Sequence, residues 1–84
     1  MENGTKAVLA RAIETTFEAL IATTEAGVVS VLWERCSERL ARASSIERSR
    51  AELSPSGYRI HWPLIDEDLA VEVLLRGVDR ERLS

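Results

Sequence analysis

One histidine and three acidic residues form the cluster of this 84-residue chain that most resembles a chemical site: His61 precedes Asp66, Glu67 and Asp68. An imidazole and one or two carboxylates can hold a divalent ion, so His61, Asp66 and Asp68 are candidate ligands of a small metal-dependent hydrolase. That site requires residues 63–65 to fold the chain back sharply. The favoured interpretation is structural: the acidic residues stabilise the first turn of a helix through its dipole, and His61 hydrogen-bonds Asp66 or Asp68.

Arginines provide the second candidate site. Arg35, Arg39 and Arg42 share one face of a predicted helix, and Arg48 continues the run. Such a stripe could contact an acidic protein, or nucleic acid if the chain is a nucleic-acid-binding regulator. The net charge of −3 and the neighbouring glutamates provide no concentrated basic field. A solvated face is therefore favoured, and nucleic acid is a possible but not the favoured partner.

The large and reactive side chains have a structural interpretation as well. Trp33 and Trp62 could form a stacking platform for a base or a peptide proline, but in a small domain with few aromatic residues they are expected in the core. Cys36 shares an apolar helix face with Trp33 and Leu40, which favours a buried small hydrophobe over a nucleophile.

The composition indicates one small domain without the familiar catalytic motifs. The chain is 45% hydrophobic, too apolar for a disordered protein. It has no glycine-rich phosphate loop, nucleophile elbow or paired-cysteine zinc spacing, which argues against an enzyme and against a bound cofactor. A single cysteine fits a reducing cytoplasm, and no apolar run is long enough to cross a bilayer. We therefore expect a cytoplasmic protein without a membrane partner.

The first half of the domain is predicted to be a β-meander. Weak alternation and β-branched residues indicate strands at 10–15, 19–24 and 28–32, with Gly27 closing a hairpin turn. The alternative is a continuous helix from Thr5 to Ala26, because alanine and glutamate are plentiful there. The strands are favoured.

The second half is predicted to contain helices around one strand. Apolar spacing predicts a helix over 33–43, and the Ser44–Glu47 spacing of a capping box predicts another that ends near Ala51. A turn at 55–57 leads into a strand over 58–62, stopped by Pro63. A last, largely apolar helix is expected over 67–76. Residues 1–9 are predicted to be a loose leader, 10–78 the domain and 79–84 a charged tail.

Residues 53–77 carry a family resemblance. Leu53-Ser54-Pro55, Gly57, Ile60-His61-Trp62-Pro63 and Asp66-Glu67-Asp68-Leu69 resemble the most regular part of the domain of unknown function 2442 family, and the likeness extends over about 27–77. The resemblance implies a small single α+β domain: a β-hairpin or three-stranded meander, two short helices, a further short strand and a C-terminal helix. The structural anchors expected from these patterns are Trp33, Gly57, Trp62, Pro63, Asp66 and Gly77.

The expected function is that of a non-enzymatic protein-interaction or regulatory module. The resemblance implies a bacterial protein of a mobile or toxin–antitoxin-like gene, and no catalytic residue is established for the family. The apolar last helix and the strand edges of a short meander favour a homodimer or another small protein as partner. Arg35, Arg39, Arg42 and Arg48 are the candidate interaction surface.

Overall fold

The computed structural model describes residues 9–76 and has the α+β architecture that the sequence predicts. Outside this range lie residues 1–8 of the predicted leader, residues 77 and 78 of the predicted domain and the predicted tail 79–84. The expected anchor Gly77 is therefore not described. Two three-stranded antiparallel sheets are joined by short helices, and a C-terminal helix follows. In chain order the elements are β1 (Ala10–Thr15), β2 (Ala19–Thr24), β3 (Gly27–Leu32), α1 (Trp33–Cys36), α2 (Glu38–Arg42), α3 (Ser45–Ser49), β4 (Glu52–Leu53), β5 (Arg59–Trp62), β6 (Glu67–Ala70) and α4, described over 71–76.

The first sheet confirms the predicted meander and shows that the alternative continuous helix is wrong. β2 lies in the centre, and its register pairs Leu20 with Val31 of β3 on the core side. β-branched residues suit this pleated surface, and Gly27 supplies the positive φ of 131° that the turn into β3 needs. A bulge between Ala10 and Ala12 shifts the register of β1.

The single helix predicted over 33–43 is wrong, because the chain breaks it at Ser37. This residue has extended backbone angles, with φ −170° and ψ 163°, and its side chain accepts a hydrogen bond from the Leu40 N–H. Serine is favoured as an N-cap because its oxygen satisfies a free N–H of the first turn. Trp33, on α1, and Leu40, on α2, are both buried in the core. Three short helices therefore stand where two were predicted.

The predicted capping box of α3 is confirmed. The Ser44 hydroxyl accepts from the Glu47 N–H at 3.2 Å, and the Glu47 carboxylate accepts from the Ser44 N–H at 2.9 Å. Both donors would otherwise lack partners at the helix start. The helix ends at Ser49, earlier than predicted.

The predicted start of the last helix is wrong, because Glu67–Ala70 forms β6. Its register sets Asp68 opposite His61 and Leu69 opposite Ile60 of β5. Asp66, with a φ of 53°, completes the turn that brings β6 back antiparallel. These four residues have little strand propensity, so the hydrogen bonds to β5 decide their conformation. The acidic residues consequently do not stabilise a helix N-terminus.

The two sheets share one core. Its fully buried large side chains are Trp33, Trp62, Leu20, Leu40, Ile60, Val31 and Val71. Tyr58, which the sequence places beside Ile60 and Trp62 on a buried strand face, precedes β5 and is 49% exposed. Within α4, Val71 and Leu74 are buried while Val73 is half exposed. No helix within residues 9–76 is long and apolar enough to cross a membrane.

Candidate functional site

His61, Arg59 and Asp68 form a surface charge cluster on the second sheet. Arg59 Nε donates to Asp68 Oδ1 at 2.8 Å, and His61 Nδ1 lies 3.9 Å from Asp68 Oδ2. The cross-strand pairing of His61 with Asp68 produces this proximity, and Arg59 follows because it lies two residues away on the same face. His61 Nδ1 makes no hydrogen bond, so the predicted hydrogen bond to Asp66 or Asp68 is not formed. The cluster links two strands rather than a strand and a helix.

The structure does not assemble the predicted metal ligands. Asp66 lies in the turn before β6, and Asp68 is already paired with Arg59. Within residues 9–76, no group of three or more histidine, cysteine or acidic side chains is arranged to hold a metal ion. The geometry therefore lends no support to a hydrolase at His61, Asp66 and Asp68.

Arg39 connects α2 to the turn after β5. One of its guanidinium nitrogens, Nη1, donates to the backbone carbonyls of Ile65 at 3.2 Å and Asp66 at 3.0 Å. These bonds hold the turn in which Asp66 adopts its positive φ. Arg39 thus makes a contact within the fold that the sequence pattern did not suggest, because the acceptors are main-chain atoms about 26 residues away.

Arg48 has a similar structural role at the C-terminal end of α2. Its Nε donates to the Leu40 carbonyl and its Nη2 to the Ala41 carbonyl, both at 2.9 Å. The guanidinium carbon also lies 5.6 Å from the ring centroid of Trp33, a cation–π distance. The side chain thereby binds the Ala41 carbonyl and adds a second hydrogen bond to the Leu40 carbonyl, which also accepts from the Ala43 N–H at 3.2 Å.

The remaining two arginines do not share a helix. Arg35 is exposed on α1, whereas Arg42 is exposed on α2, where it pairs with Glu38 at 3.2 Å. The break at Ser37 separates them, so the continuous stripe inferred from helical spacing does not form. An arginine interaction surface remains a prediction, and two of its four candidate members already bind backbone carbonyls.

The tryptophans and the cysteine lie in the core, where the sequence places them. Trp33 and Trp62 are fully buried, so neither offers a ring face to a base or a peptide. Burial raises the pKa of the Cys36 thiol from 9.0 to about 12, although the nearby Arg48 lowers it slightly. A thiol with this pKa is almost entirely neutral at physiological pH and is a poor nucleophile.

Two open surface grooves lie away from the charge cluster's histidine. One, of about 500 Å³, is lined by apolar Ile46 and Leu64 together with Pro63, an expected anchor that is exposed. The other, of about 390 Å³, lies beside the 54–58 turn and Arg59. Neither is lined by His61 or Asp66. These grooves consequently do not complete a site around the predicted ligands.

The most unusual surface is the outer side of the first sheet. Phe17, in the β1–β2 turn, is 80% exposed, Val28 is 69% exposed and Leu32 is 44% exposed. Ile21 of the central strand β2 is half-buried. It lies on the same side of the sheet as Val28 and Leu32, because it pairs with Ser30 of β3. We call four residues the outer apolar surface: Ile21, Val28 and Leu32 on the outer side of the sheet, and Phe17 in the turn between β1 and β2. The sequence carried a signal for it, because β3 is apolar on both of its faces, whereas a strand with one solvated face normally alternates.

The fold and its surface define a small α+β domain that has two antiparallel sheets around one core. The family model described as "Protein of unknown function (DUF2442)" matches residues 9–80, and the chain belongs to this family, as its sequence pattern predicts. No curated protein matches the chain. It is similar to a crystal structure described as a protein of unknown function from Rhodospirillum rubrum ATCC 11170, with a TM-score of 0.73 and 24% identity over 86% of this chain and 89% of that chain. This likeness concerns the fold alone.

Proposed function

We propose that this chain is a non-enzymatic protein-interaction module that binds its partner through the outer apolar surface. The observation that carries the proposal is the exposure of Phe17, Val28 and Leu32 around one sheet. Single exposed apolar residues are common, but several around one sheet face are typical of interaction sites. Phenylalanine is among the residue types enriched in the buried centres of interfaces.

The geometry of the outer apolar surface suits a protein rather than a small ligand. The face of a sheet is broad and open, whereas small-molecule sites are concave and bury most of the ligand. The rim carries charges of both signs, because Arg11 and Glu25 form an exposed ion pair at 3.3 Å beside the β2–β3 turn. An apolar centre with a polar rim is the usual anatomy of a protein–protein interface.

A regulatory or antitoxin-type role in the bacterial cytoplasm is the finer form of this proposal, and it rests on the family resemblance.

The arginines do not favour the alternative function of a nucleic-acid-binding regulator, since Arg39 and Arg48 are both engaged with backbone carbonyls. A nucleic-acid-binding regulator would have to depend chiefly on Arg35 and Arg42, within a chain of net charge −3.

The test is affinity capture from host lysate with matched surface variants. The double variant Phe17→Ser/Val28→Thr removes apolar area while it keeps a β-branched residue in β3. Ile46→Ser, on α3, is the control, because Ile46 is also an exposed apolar residue. We expect a stoichiometric protein to be captured by the wild type and by Ile46→Ser, and to be lost with the double variant. Equal capture by all three proteins, or capture by none, would contradict the proposal.

A further inference from the structure

The outer edge of β3 presents backbone groups that no other described residue pairs with. The Trp33 N–H donates to the Glu18 carbonyl at 3.3 Å, which continues the β2–β3 ladder. Bonded and non-bonded residue pairs alternate in an antiparallel ladder, so Leu20–Val31 is the next bonded pair. Val28, Ser30 and Leu32 belong to the non-bonded pairs. They therefore direct their N–H and C=O groups away from β2. Among residues 9–76, no hydrogen bond from outside the sheet ends on these groups.

The edges formed by β1 and β6 are protected in ways that β3 is not. β1 carries Arg11 and Glu14 and contains the bulge. On β6, the outward N–H of Asp68 already bonds the carboxylate of Glu67 at 3.3 Å. β3, with the sequence Gly-Val-Val-Ser-Val-Leu, has no charge, no proline and no bulge. Charges, prolines and bulges are the features by which proteins prevent edge strands from pairing, so their absence marks β3 as an edge suited to pairing.

We propose that β3 pairs with β3 of a second copy of this chain, antiparallel, about a twofold axis at Ser30. The alternation of the ladder requires outward residues to face outward residues, and an axis at Ser30 is the arrangement that pairs all three of them. Ser30 then faces Ser30 of the partner subunit, and Val28 faces Leu32 of the partner subunit. Each of these pairs exchanges two N–H···O bonds. The result is a continuous six-stranded sheet, since each copy contributes its three strands.

The side chains agree with this register. Val28, Ser30 and Leu32 all point to the outer side of the sheet, because alternate residues of a strand share a face. Each Val28 therefore lies beside Leu32 of the partner subunit, an apolar cross-strand pair, and the two serines meet at the axis. Opposing the uncharged strand with itself incurs no repulsion. The inference goes beyond the proposed function: self-pairing joins the two outer apolar surfaces into one wider surface, which stays open to a protein partner.

The experiment measures the mass of the purified full chain by light scattering after size exclusion, over a dilution series in the micromolar range. The wild type is expected at twice the 9.4 kDa of one chain. Ser30→Pro removes an N–H that is not part of the ladder to β2, so the fold tolerates the change while the edge loses a donor at the axis. Ser30→Lys places two positive charges together at the axis. We expect each variant to raise the dissociation constant of the dimer by roughly tenfold or more, the factor for one lost strong contact.

Glu14→Lys is the control, because Glu14 lies in the same row of the sheet as Ile21 and Ser30 but on β1. It should remain a dimer, and circular dichroism should show all the variants folded. A wild type that stays monomeric, or folded Ser30 variants that dimerise like Glu14→Lys, would overturn the inference. If a monomeric wild type still captured a different protein through Phe17 and Val28, the proposed function would stand and only the self-pairing would fail. A Ser30-dependent dimer would support the self-pairing even if no other protein were captured.

Discussion

Trp33 and Trp62 meet edge to face, with their ring centroids 6.3 Å apart and their planes at 81°. Trp33 begins α1 directly after the first sheet, and Trp62 ends β5 in the second. Each indole N–H donates to a backbone carbonyl: Trp33 to Thr16 at 3.0 Å and Trp62 to Arg48 at 3.2 Å. The pair therefore joins the two sheets and fixes the segments that surround the core.

The indole hydrogen bond of Trp62 should be measurable in the stability of the domain. Trp62→Phe keeps an aromatic ring but leaves the Arg48 carbonyl without its donor and the core with a gap. We expect the free energy of unfolding to fall by about 1–3 kcal/mol. Urea denaturation followed by circular dichroism measures this change. Tyr58→Phe, at a half-exposed residue, is the aromatic control and should change stability by less than about 0.5 kcal/mol.

Gly57 should not tolerate a side chain. It has a φ of 83°, and a Cβ placed on it would lie 2.5 Å from the Ala10 carbonyl oxygen. The Ala10 N–H also donates to the Gly57 carbonyl at 2.9 Å, so the 54–58 turn cannot move away from β1 without losing that bond. Gly57→Ala is expected to cost about 1–3 kcal/mol of backbone strain plus the clash.

Gly27→Ala is the matched control for the Gly57 substitution. It also has a positive φ, of 131°, but nothing lies within 4 Å of the added Cβ. The melting temperature of Gly57→Ala should be lower than that of Gly27→Ala, since only the former adds a clash. Equal melting temperatures would show that the packing of the turn against Ala10 contributes nothing.

Arg48 should matter more to stability than Arg42, although both are arginines near the end of a helix. Arg48→Ala removes two hydrogen bonds to the carbonyls of α2 and the contact with Trp33. Bonds from a charged donor contribute about 1.5–3 kcal/mol, and we expect a loss of this order in denaturant unfolding. Arg42→Ala removes only an exposed pair with Glu38 and should cost less than about 0.5 kcal/mol. Comparable losses for the two variants would argue against a capping role for Arg48.

The buried thiol of Cys36 should make the domain less stable in alkali. Its pKa is about 12 in the folded chain and 9.0 as its ordinary value, so the thiol is neutral in both states below pH 9. Between these two values the unfolded chain releases the proton and the folded chain retains it. The folded state then binds more protons, and its stability falls as the pH rises, by about 1.4 kcal/mol per pH unit at most.

Cys36→Ala isolates the contribution of the thiol. Below pH 9 the variant is expected to be less stable because it leaves a cavity, and its stability should decline less steeply between pH 9 and pH 11 than that of the wild type. The other titrating groups are present in both proteins, so the difference between the slopes belongs to Cys36. Parallel slopes would show that the thiol titrates in the folded state as it does in the unfolded chain.

Local patterns were sufficient where the hydrogen-bonding partners are near in sequence. The Ser44–Glu47 capping box was predictable because both partners lie within one helical turn. The β2–β3 hairpin was predictable because Gly27 allows the turn and β-branched residues flank it. The two tryptophans were expected in the core because their size makes burial favourable almost anywhere in a small domain.

The candidate site could not be predicted in the same way. Asp68 meets Arg59 and His61 only because β6 returns along β5, and the sequence around it favours a helix. Arg39 and Arg48 look like surface charges by helical spacing, yet they bind main-chain carbonyls, which leave no trace in residue types. The unprotected edge of β3 was only partly visible: the sequence shows an uncharged strand, but the order of the strands shows that it lies at an edge.

The amino-acid sequence by itself determined the family, the α+β class, the meander and the burial of Trp33, Trp62 and Cys36, because these depend on composition, local propensity and short-range turns and caps. The tertiary structure alone decided the break at Ser37 and the conversion of Glu67–Ala70 into a strand. In both places the local preference is weak. The conformation is therefore set by contacts with distant segments, which provide the burial of Trp33 and Leu40 in one case and the hydrogen bonds to β5 in the other.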